Sequence, residues 1–461
     1  MPRCCARADI PAVHAAIRWI GRRCLAWFYR DWLVIGAEQV PASGPVLLIG
    51  NHPHDVPDVI LGFFTTPRPV RYIATISQAT NPIAKKTYDW LGVIPVTRVR
   101  DARKMKEKGI DIAAMNRAAN AAVLNAFARG DAVAVFPEGG VHDVCEIGRL
   151  RTGVASMLLE FLDGEPTRDV TVVPFGIQYE AQRTAGSDIV MRIGAPFSVR
   201  AWRGAQPTDA AGVSALTDAL HASLCGVTRN APTWDIAQVR DELVAAMAAA
   251  HDPKRALQST PSLVPRARAI AIDAMSDAPS HDAREQQLAS HTLARAVERA
   301  GGIGTSAADH ARLLFALDVH TAPRPIPSTL LWMALPIATV GAVVHLPITS
   351  LVTWMAHRWQ TVRTDIPARQ FVPGLYVVAL WYLLLAPLWY LGLTALGMPP
   401  VFAGVLALLI IGIVPHLGDF WFTWWRAHRA SRFVARVRNW STEERVAARD
   451  AARVFAADGV N

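Results

Sequence analysis

Charge is scarce in this chain. Of its 461 residues only 18% are charged, against 52% that are hydrophobic, a balance too apolar for an ordinary soluble protein and suggestive of membrane association. Cysteine is scarcer still. Cys4, Cys5, Cys24, Cys145 and Cys225 show no metal-ligand spacing, and their odd number argues against a disulfide framework, which fits a reducing cytosolic face. The N-terminus has no compact apolar core followed by a small-residue cleavage site, so no secretory signal is read there. The net charge is +9, yet the soluble part has no arginine or lysine stripe with interleaved aromatics, which excludes a recognisable nucleic-acid surface.

The apolar residues that are present are concentrated. Residues 325–357 and 370–418 form runs of 33 and 49 positions without a charged side chain, and a membrane-spanning helix needs about 20 apolar residues. Residues 374–395 and 400–417 read as two spans joined by the short Gly-Met-Pro-Pro turn at 397–400. Arg426, Arg429, Arg432, Arg436 and Arg438 follow with no acid among them, a cytoplasmic flank that favours anionic lipid headgroups. With both outer flanks inside, residues 329–356 must enter and leave on one side. Pro347, at the middle of that stretch, makes a re-entrant hairpin the expected form. Near the start, residues 12–34 mix aromatic and aliphatic side chains with Arg18, Arg22, Arg23 and Arg30, and Arg7 lies just upstream. This reads as a helix in a membrane interface, or equally as one docked on a core.

Between these segments, short strand-like runs alternate with helical ones. Strands are expected at 33–40, 45–50, 70–76, 92–98, 131–136, 170–180 and 188–199, and helices at 56–66, 81–91, 101–129 and 149–163. That alternation specifies an α/β layer structure, in which ligands gather at the carboxyl ends of strands. Residues 200–322 are Ala-rich and helical in period, without a chemical motif. The expected organisation is an N-terminal helix over 1–35, a catalytic domain over 36–200, a helical extension over 201–322, membrane hairpins over 323–425 and a basic cytoplasmic tail over 426–461.

Four polar clusters sit at the strand ends. "GNHPHDVPDV" (50–59) supplies His52 and Asp58, with His54 and Asp55 as second choices. A carboxylate that fixes an imidazole's tautomer and raises its basicity makes a general base near neutral pH, although such a cluster is more often a polar turn. "FPEGGVHD" (136–143) places Glu138, Gly139 and Gly140 where backbone amides can approach an anion. Its His142 and Asp143 leave a two-metal hydrolase site open as an alternative, against which the first cluster lacks further ligands. "IPVTRVRD" (94–101) offers Arg98 and Arg100 as phosphate forks or as solvated surface charges. "RLRTG" (149–153) puts Arg149 and Arg151 at a helix start, where cations are out of place unless an anion binds there.

In this order, ahead of a membrane anchor, the four blocks resemble those of the glycerolipid acyltransferases, the group acylating glycerol-3-phosphate or its monoacylated product. "NHPHDVPD" resembles their His/Asp motif, "GVIPVTR" the second, "FPEGGVHD" the third and "VVPFGIQY" (172–179) the fourth, over about residues 30–200. The five residues between His52 and Asp58, with "LRTGVA" after the third motif, look closest to the branch using glycerol-3-phosphate or dihydroxyacetone phosphate. The resemblance implies a mixed sheet flanked by helices, with a fatty acyl group moving from acyl-CoA or acyl carrier protein to a glycerol-phosphate hydroxyl, in phospholipid synthesis. It implies no metal and no cofactor beyond the thioester co-substrate, and a catalytic domain on the cytoplasmic face of a membrane. His52 becomes the base and Asp58 its partner. Arg98, Glu138, Gly139, Gly140 and Arg151 bind substrate, and Pro174 shapes the acyl site. Gly140, Val141 and His142 stand where many members have Thr-Arg-Ser, so Arg149 or Arg151 must replace the missing arginine. A lysophosphatidate or other lysophospholipid acceptor is the alternative within this class, and a metal-dependent phosphohydrolase the alternative outside it.

Overall fold

The computed structural model describes residues 29, 31–54, 57–59, 61–62, 66, 68–75, 86, 88, 92–97, 111–141, 145–179, 188–204, 210–228, 230–231, 233–251, 281–305, 307–317, 328–358 and 366–456. These divide into two compact units, 1–234 and 235–461.

The first unit is built on a mixed eight-stranded sheet. Its strands are β1 (Asp31–Ile35), β2 (Val46–Gly50), β3 (Val70–Thr75), β4 (Ile94–Val96), β5 (Ala132–Val135), β6 (Thr171–Tyr179), β7 (Asp188–Ile193) and β8 (Phe197–Ser198). They lie in the order β1-β7-β6-β2-β5-β3-β4, with β8 beside β6. β2 is central, parallel to both β5 and β6, and β3 is parallel to β5 and β4. Every residue of β2 is buried, which is why "PVLLIG" reads as a continuous apolar run rather than an alternating one. Because β2, β3, β4 and β5 run the same way, their carboxyl ends share one edge of the sheet.

Helices α1 (Ile112–Ala128), α2 (Gly153–Gly164) and α3 (Ala210–Val227) cover the sheet. α1 starts where the Asp111 carboxylate accepts the Ala114 amide at 3.0 Å, an N-cap bond. It ends before Gly130, whose φ of 78° few other residues adopt. Residues 101–110, the expected first part of this helix, lie outside the described residues. Leu216, Leu220, Leu224 and Val227 of α3 join the same core as Leu47, Ile49, Leu158 and Phe161. The first unit therefore runs to residue 234 rather than to 200, and β1 (Asp31–Ile35) falls inside the stretch assigned to an N-terminal helix, whose residues 12–28 lie outside the described residues. A composition change at 200 marks where helices begin. It does not reveal which core their apolar stripe enters.

The second unit is helical: α4 (Trp234–His251, whose first residue closes the first unit), α5 (His281–Arg299), α6 (Ala307–Leu317), α7 (Ser328–Arg358), α8 (Ile366–Ala395), α9 (Pro400–Arg438) and α10 (Thr442–Ala456). One core joins Leu243 and Met247 of α4, Leu293 and Val297 of α5, Phe433 and Val437 of α9, and Phe455 of α10. The supposed extension and tail thus close on each other, and the arginines from 426 to 438 continue a helix rather than start a tail.

Residues 328–358 form one continuous helix with Pro336 and Pro347 inside it, so the expected re-entrant hairpin is absent. A proline frees carbonyls in the preceding turn, and neighbouring helices can take them up. Here Trp381 Nε1 donates at 3.1 Å to Val344 O, in the turn before Pro347, while Trp424 Nε1 donates at 2.8 Å to Leu331 O and ties another helix to α7. Glycines let α7 and α9 approach closely: a Cβ on Gly341 would stand 2.3 Å from Leu417 O. Thr329–Met355 and Pro400–Arg438 are long and apolar enough to cross a membrane.

Candidate active site

The site grows from the end of β2. Gly50 is required there, because a Cβ would fall 2.2 Å from the Phe175 ring. Asn51 then extends the β2–β6 pairing with its side chain. Its Oδ1 accepts the Ile177 amide at 2.7 Å, and its Nδ2 donates to Ile177 O at 3.0 Å. Clamped in this way, the chain turns and buries His52, His54 and Asp58.

His52 Nδ1 lies 2.9 Å from Asp58 Oδ2. The same oxygen accepts the His54 amide at 2.7 Å, and Asp58 Oδ1 accepts the Tyr179 hydroxyl at 2.6 Å. Burial pushes the Asp58 carboxyl up to about 6, against the lowering pull of its bonds to His52, Tyr179 and the His54 amide. Burial, and then the Asp58 charge, hold the Tyr179 phenol well above its ordinary value, so it stays a donor. Phe136, just past β5, stacks on the His52 ring with centroids 4.0 Å apart and planes 5° apart. The His54 ring instead meets Tyr179 edge-on at 4.4 Å, so of the two histidines His52 alone pairs its ring with the carboxylate.

The turn after β5 braces this arrangement. Glu138 is buried, with Oε1 3.4 Å from the His52 amide and Oε2 accepting the Gly148 amide at 2.9 Å. Its carboxylate therefore ties the His52 turn to the loop before α2. Gly139 has a φ of 77°, and a Cβ there would meet Arg151 Cγ at 3.4 Å, so the Arg151 side chain lies against the glycine turn. The Arg151 amide donates to Pro137 O at 2.9 Å.

A cavity of about 670 Å³ opens beside His52. One part is lined by Gly139, Gly140 and Arg151, with Gly153 at the start of α2. The remainder runs between α1 and α2, along Val96, Val123, Val154 and Met157, past Asn120 and Glu160. Those last two bridge the helices at 2.7 Å. The lining thus combines the Arg151 guanidinium and a glycine turn, whose Gly139 amide donates to Phe136 O at 3.1 Å, with aliphatic walls.

Of the residues singled out from sequence, His52, Gly139, Gly140 and Arg151 line this cavity, and Asp58 and Glu138 support it from behind. Arg151 precedes α2 rather than opening it, and the exposed Arg149 is not among the lining residues. Pro174 lies in β6 at the register of Ile49, packed near Gly194, and is not a lining residue either. Asp55, Arg98, Arg100, His142 and Asp143 lie outside the described residues, although Thr97, just before Arg98, does line the cavity. Among the described residues no group of three or more His, Cys, Asp or Glu side chains is placed to hold a metal ion. Sequence reasoning missed Asn51 and Tyr179. The first stands inside the His/Asp motif and the second ends the fourth motif, so each was in view without a stated role.

A family model described as Acyltransferase matches residues 32–178. Glycerol-3-phosphate O-acyltransferase 2 of Saccharomyces cerevisiae is 37% identical over 109 residues, which are 23% of this chain and 15% of that protein. Glycerol-3-phosphate O-acyltransferase 1 of the same yeast is 34% identical over 77 residues, 17% of this chain and 10% of that protein. An uncharacterized acyltransferase of Schizosaccharomyces pombe is 31% identical over 116 residues, 24% of this chain and 17% of that protein. The matched stretch therefore spans less than a fifth of each relative. Among solved structures, the 1-acyl-sn-glycerophosphate acyltransferase PlsC of Thermotoga maritima aligns with a TM-score of 0.35 at 15% identity, over 48% of this chain and 82% of that one. Residues 32–178, which carry the His52–Asp58 pair at the end of the central strand, are thus similar to the Acyltransferase family over about a third of the chain.

Proposed function

We propose that the protein is a membrane-associated O-acyltransferase that moves a fatty acyl group from acyl-CoA or acyl carrier protein to a hydroxyl of glycerol-3-phosphate or dihydroxyacetone phosphate. The observation that carries this reading is the cavity itself: a buried imidazole–carboxylate pair borders a space lined both by the Arg151 guanidinium with a glycine turn and by aliphatic side chains. An acceptor with a phosphate and a donor with an acyl chain need those two kinds of lining.

In this mechanism His52 takes the proton of the acceptor hydroxyl at Nε2 while Asp58 holds Nδ1–H and balances the imidazolium charge. The acceptor oxygen bonds to the thioester carbonyl carbon, the C–S bond breaks, and the leaving thiolate takes the proton back from His52. Arg151, the Gly140 amide and Arg98 beyond Thr97 hold the phosphate so that the hydroxyl meets the base, which is catalysis by positioning. α2 adds an N-terminus with no side-chain cap and no acid in its first turn, a favourable place for a phosphate.

The exposed aliphatic and aromatic side chains of α7, α8 and α9 are the membrane-contacting part. At the far end of the α9 apolar run, Trp425 carries the Arg429 guanidinium 4.9 Å from its ring centroid, and such aromatic–arginine bands sit at membrane–water interfaces. The arginines beyond face anionic headgroups on the cytoplasmic side, and the soluble donor and acceptor reach the catalytic unit from there.

An acceptor panel tests the reading. Purified membranes receive labelled acyl-CoA with glycerol-3-phosphate, dihydroxyacetone phosphate or lysophosphatidate, with and without EDTA. Transfer to either of the first two, with thiol release unaffected by EDTA, is the expected result. Transfer to lysophosphatidate alone would reassign the acceptor. Phosphate release abolished by EDTA, without acyl transfer, would replace the proposal with a metal-dependent hydrolase.

A further inference from the structure

Asp58 has no exposed surface, and a buried carboxylate keeps its charge only where donors surround it. Two of its donors, His52 Nδ1 and the His54 amide, belong to its own turn and share Oδ2. The Tyr179 hydroxyl, arriving from 121 positions away, takes Oδ1 at 2.6 Å and is the shortest of the three. Its placement is set by strand register. Ile49 pairs with Pro174 and Gly50 with Phe175, and the two-point Asn51–Ile177 clamp stops β6 from slipping. Alternation then puts Phe175, Ile177 and Tyr179 on one face. On that face Phe175 meets Phe136, the ring stacked on His52.

We propose that Tyr179 is a positioning residue for His52: its hydroxyl holds the Asp58 carboxylate ionised and turned toward Nδ1, and so fixes the pH range in which His52 serves as base. The proposal rests on the acyl-transfer reading above. The groups facing Asp58 are His52 and His54 from its own turn, Tyr72 from β3 and Tyr179 from β6, with the Tyr29 ring packed on Tyr179 at 5.6 Å between centroids. Burial and the Asp58 charge hold the phenols of Tyr29 and Tyr72 above their ordinary value as well, so none of the three tyrosines adds a competing charge in the working range.

The direction of the effect follows. A protonated Asp58 no longer accepts Nδ1–H as a carboxylate does, and the tautomer that leaves Nε2 basic loses its support. Activity therefore falls as pH drops through the Asp58 value, which burial has already lifted to about 6. The phenol donates to the charged form and works against that lift. Removing its hydroxyl leaves the lift unopposed at Oδ1, and the acid limb moves to higher pH. A hydrogen bond to a charged group supports a displacement of about one pH unit, or about tenfold.

The experiment is a pH profile of kcat and of acceptor KM for the full-length wild type, Y179F and Y29F in membranes, with acyl-CoA and glycerol-3-phosphate. In Y179F the acid limb should move up by about one unit, kcat below the limb should fall about tenfold, and the loss should be recovered at alkaline pH with KM unchanged. Y29F, one ring further away, should shift less. An active wild type whose limb stays in place in Y179F, or a Y179F enzyme equally slow at all pH values, overturns the role of Tyr179 and leaves the function intact. A wild type that acylates no acceptor sinks the acyl-transfer reading itself. Should Y179F fail to fold, 3-fluorotyrosine placed at position 179, a stronger donor of the same shape, decides alone: the limb moves down if the hydroxyl sets it and stays if it does not.

Discussion

His52, Asp58 and Glu138 in the first unit are 4%, 0% and 8% exposed, while Trp332, Met333, Leu383 and Val401 in the second are 69%, 75%, 71% and 77% exposed. Each unit inverts the usual rule for its residue types, and each inversion has a different cost. Burying an ionisable group is unfavourable unless partners are supplied, and the first unit supplies them from four places: the turn after β2, the turn after β5, the loop before α2, and the end of β6. Exposing large apolar side chains in water is unfavourable over a wide patch, and a lipid surround removes that cost. On the function proposed above, buried polarity in one unit and exposed apolarity in the other divide two tasks, proton transfer and residence at a bilayer.

The sharpest way to break this comparison is to remove the base. His52→Ala should reduce acyl transfer by about 10²–10⁴-fold, the usual contribution of a positioned general base, while sedimentation with membranes stays as in the wild type. Activity measured alongside membrane fractionation checks both halves. If the variant keeps more than a tenth of the activity, the buried pair serves packing instead of chemistry.

The reverse experiment alters only the second unit. Leu383→Arg together with Leu408→Arg puts charge on two strongly exposed positions of α8 and α9. Each arginine near a bilayer centre costs about 2.5–3.5 kcal/mol on insertion scales. The double variant should leave the membrane fraction in large part, and the protein recovered in solution should still release thiol from acyl-CoA with a water-soluble acceptor. Unchanged sedimentation would mean that these faces contact protein and that the apolar exposure has another explanation.

Most strands and the ends at which they stop were legible, because apolar runs such as "PVLLIG" and "DAVAVF" end abruptly in polar motifs; the order of the strands in the sheet was not. The pairing of His52 with Asp58 followed from spacing and resemblance together. Tyr179 was not legible, because its meaning depends on the register of β6 against β2, which no local pattern states. The reach of the first unit was misjudged because Leu216, Leu220 and Leu224 form an apolar stripe of the same kind that a separate helical domain would carry. The continuous α7 was misjudged because Pro347 breaks a helix only where nothing takes up the freed carbonyls, and Trp381 lies far away in sequence.

The smallest expected effect sharpens the division of labour inside the first unit. Arg151 is exposed, lies against Gly139 and lines the cavity. Among the described residues no hydrogen bond of its guanidinium ties the fold together, so its removal should leave stability nearly unchanged. If it grips the acceptor phosphate, it does so equally in the ground state and the transition state, because the phosphate does not react. Interactions of that uniform kind appear in KM rather than in kcat. Arg151→Ala should therefore raise the acceptor KM about tenfold, the worth of one charge-assisted bond at a solvent-facing site, with kcat and the donor KM held. Steady-state kinetics at varied glycerol-3-phosphate read this directly. An unchanged acceptor KM would move the phosphate away from Arg151 and leave Arg98 and the Gly140 amide to hold it, while a fall in kcat at saturating acceptor would place the arginine beside the reacting atoms instead.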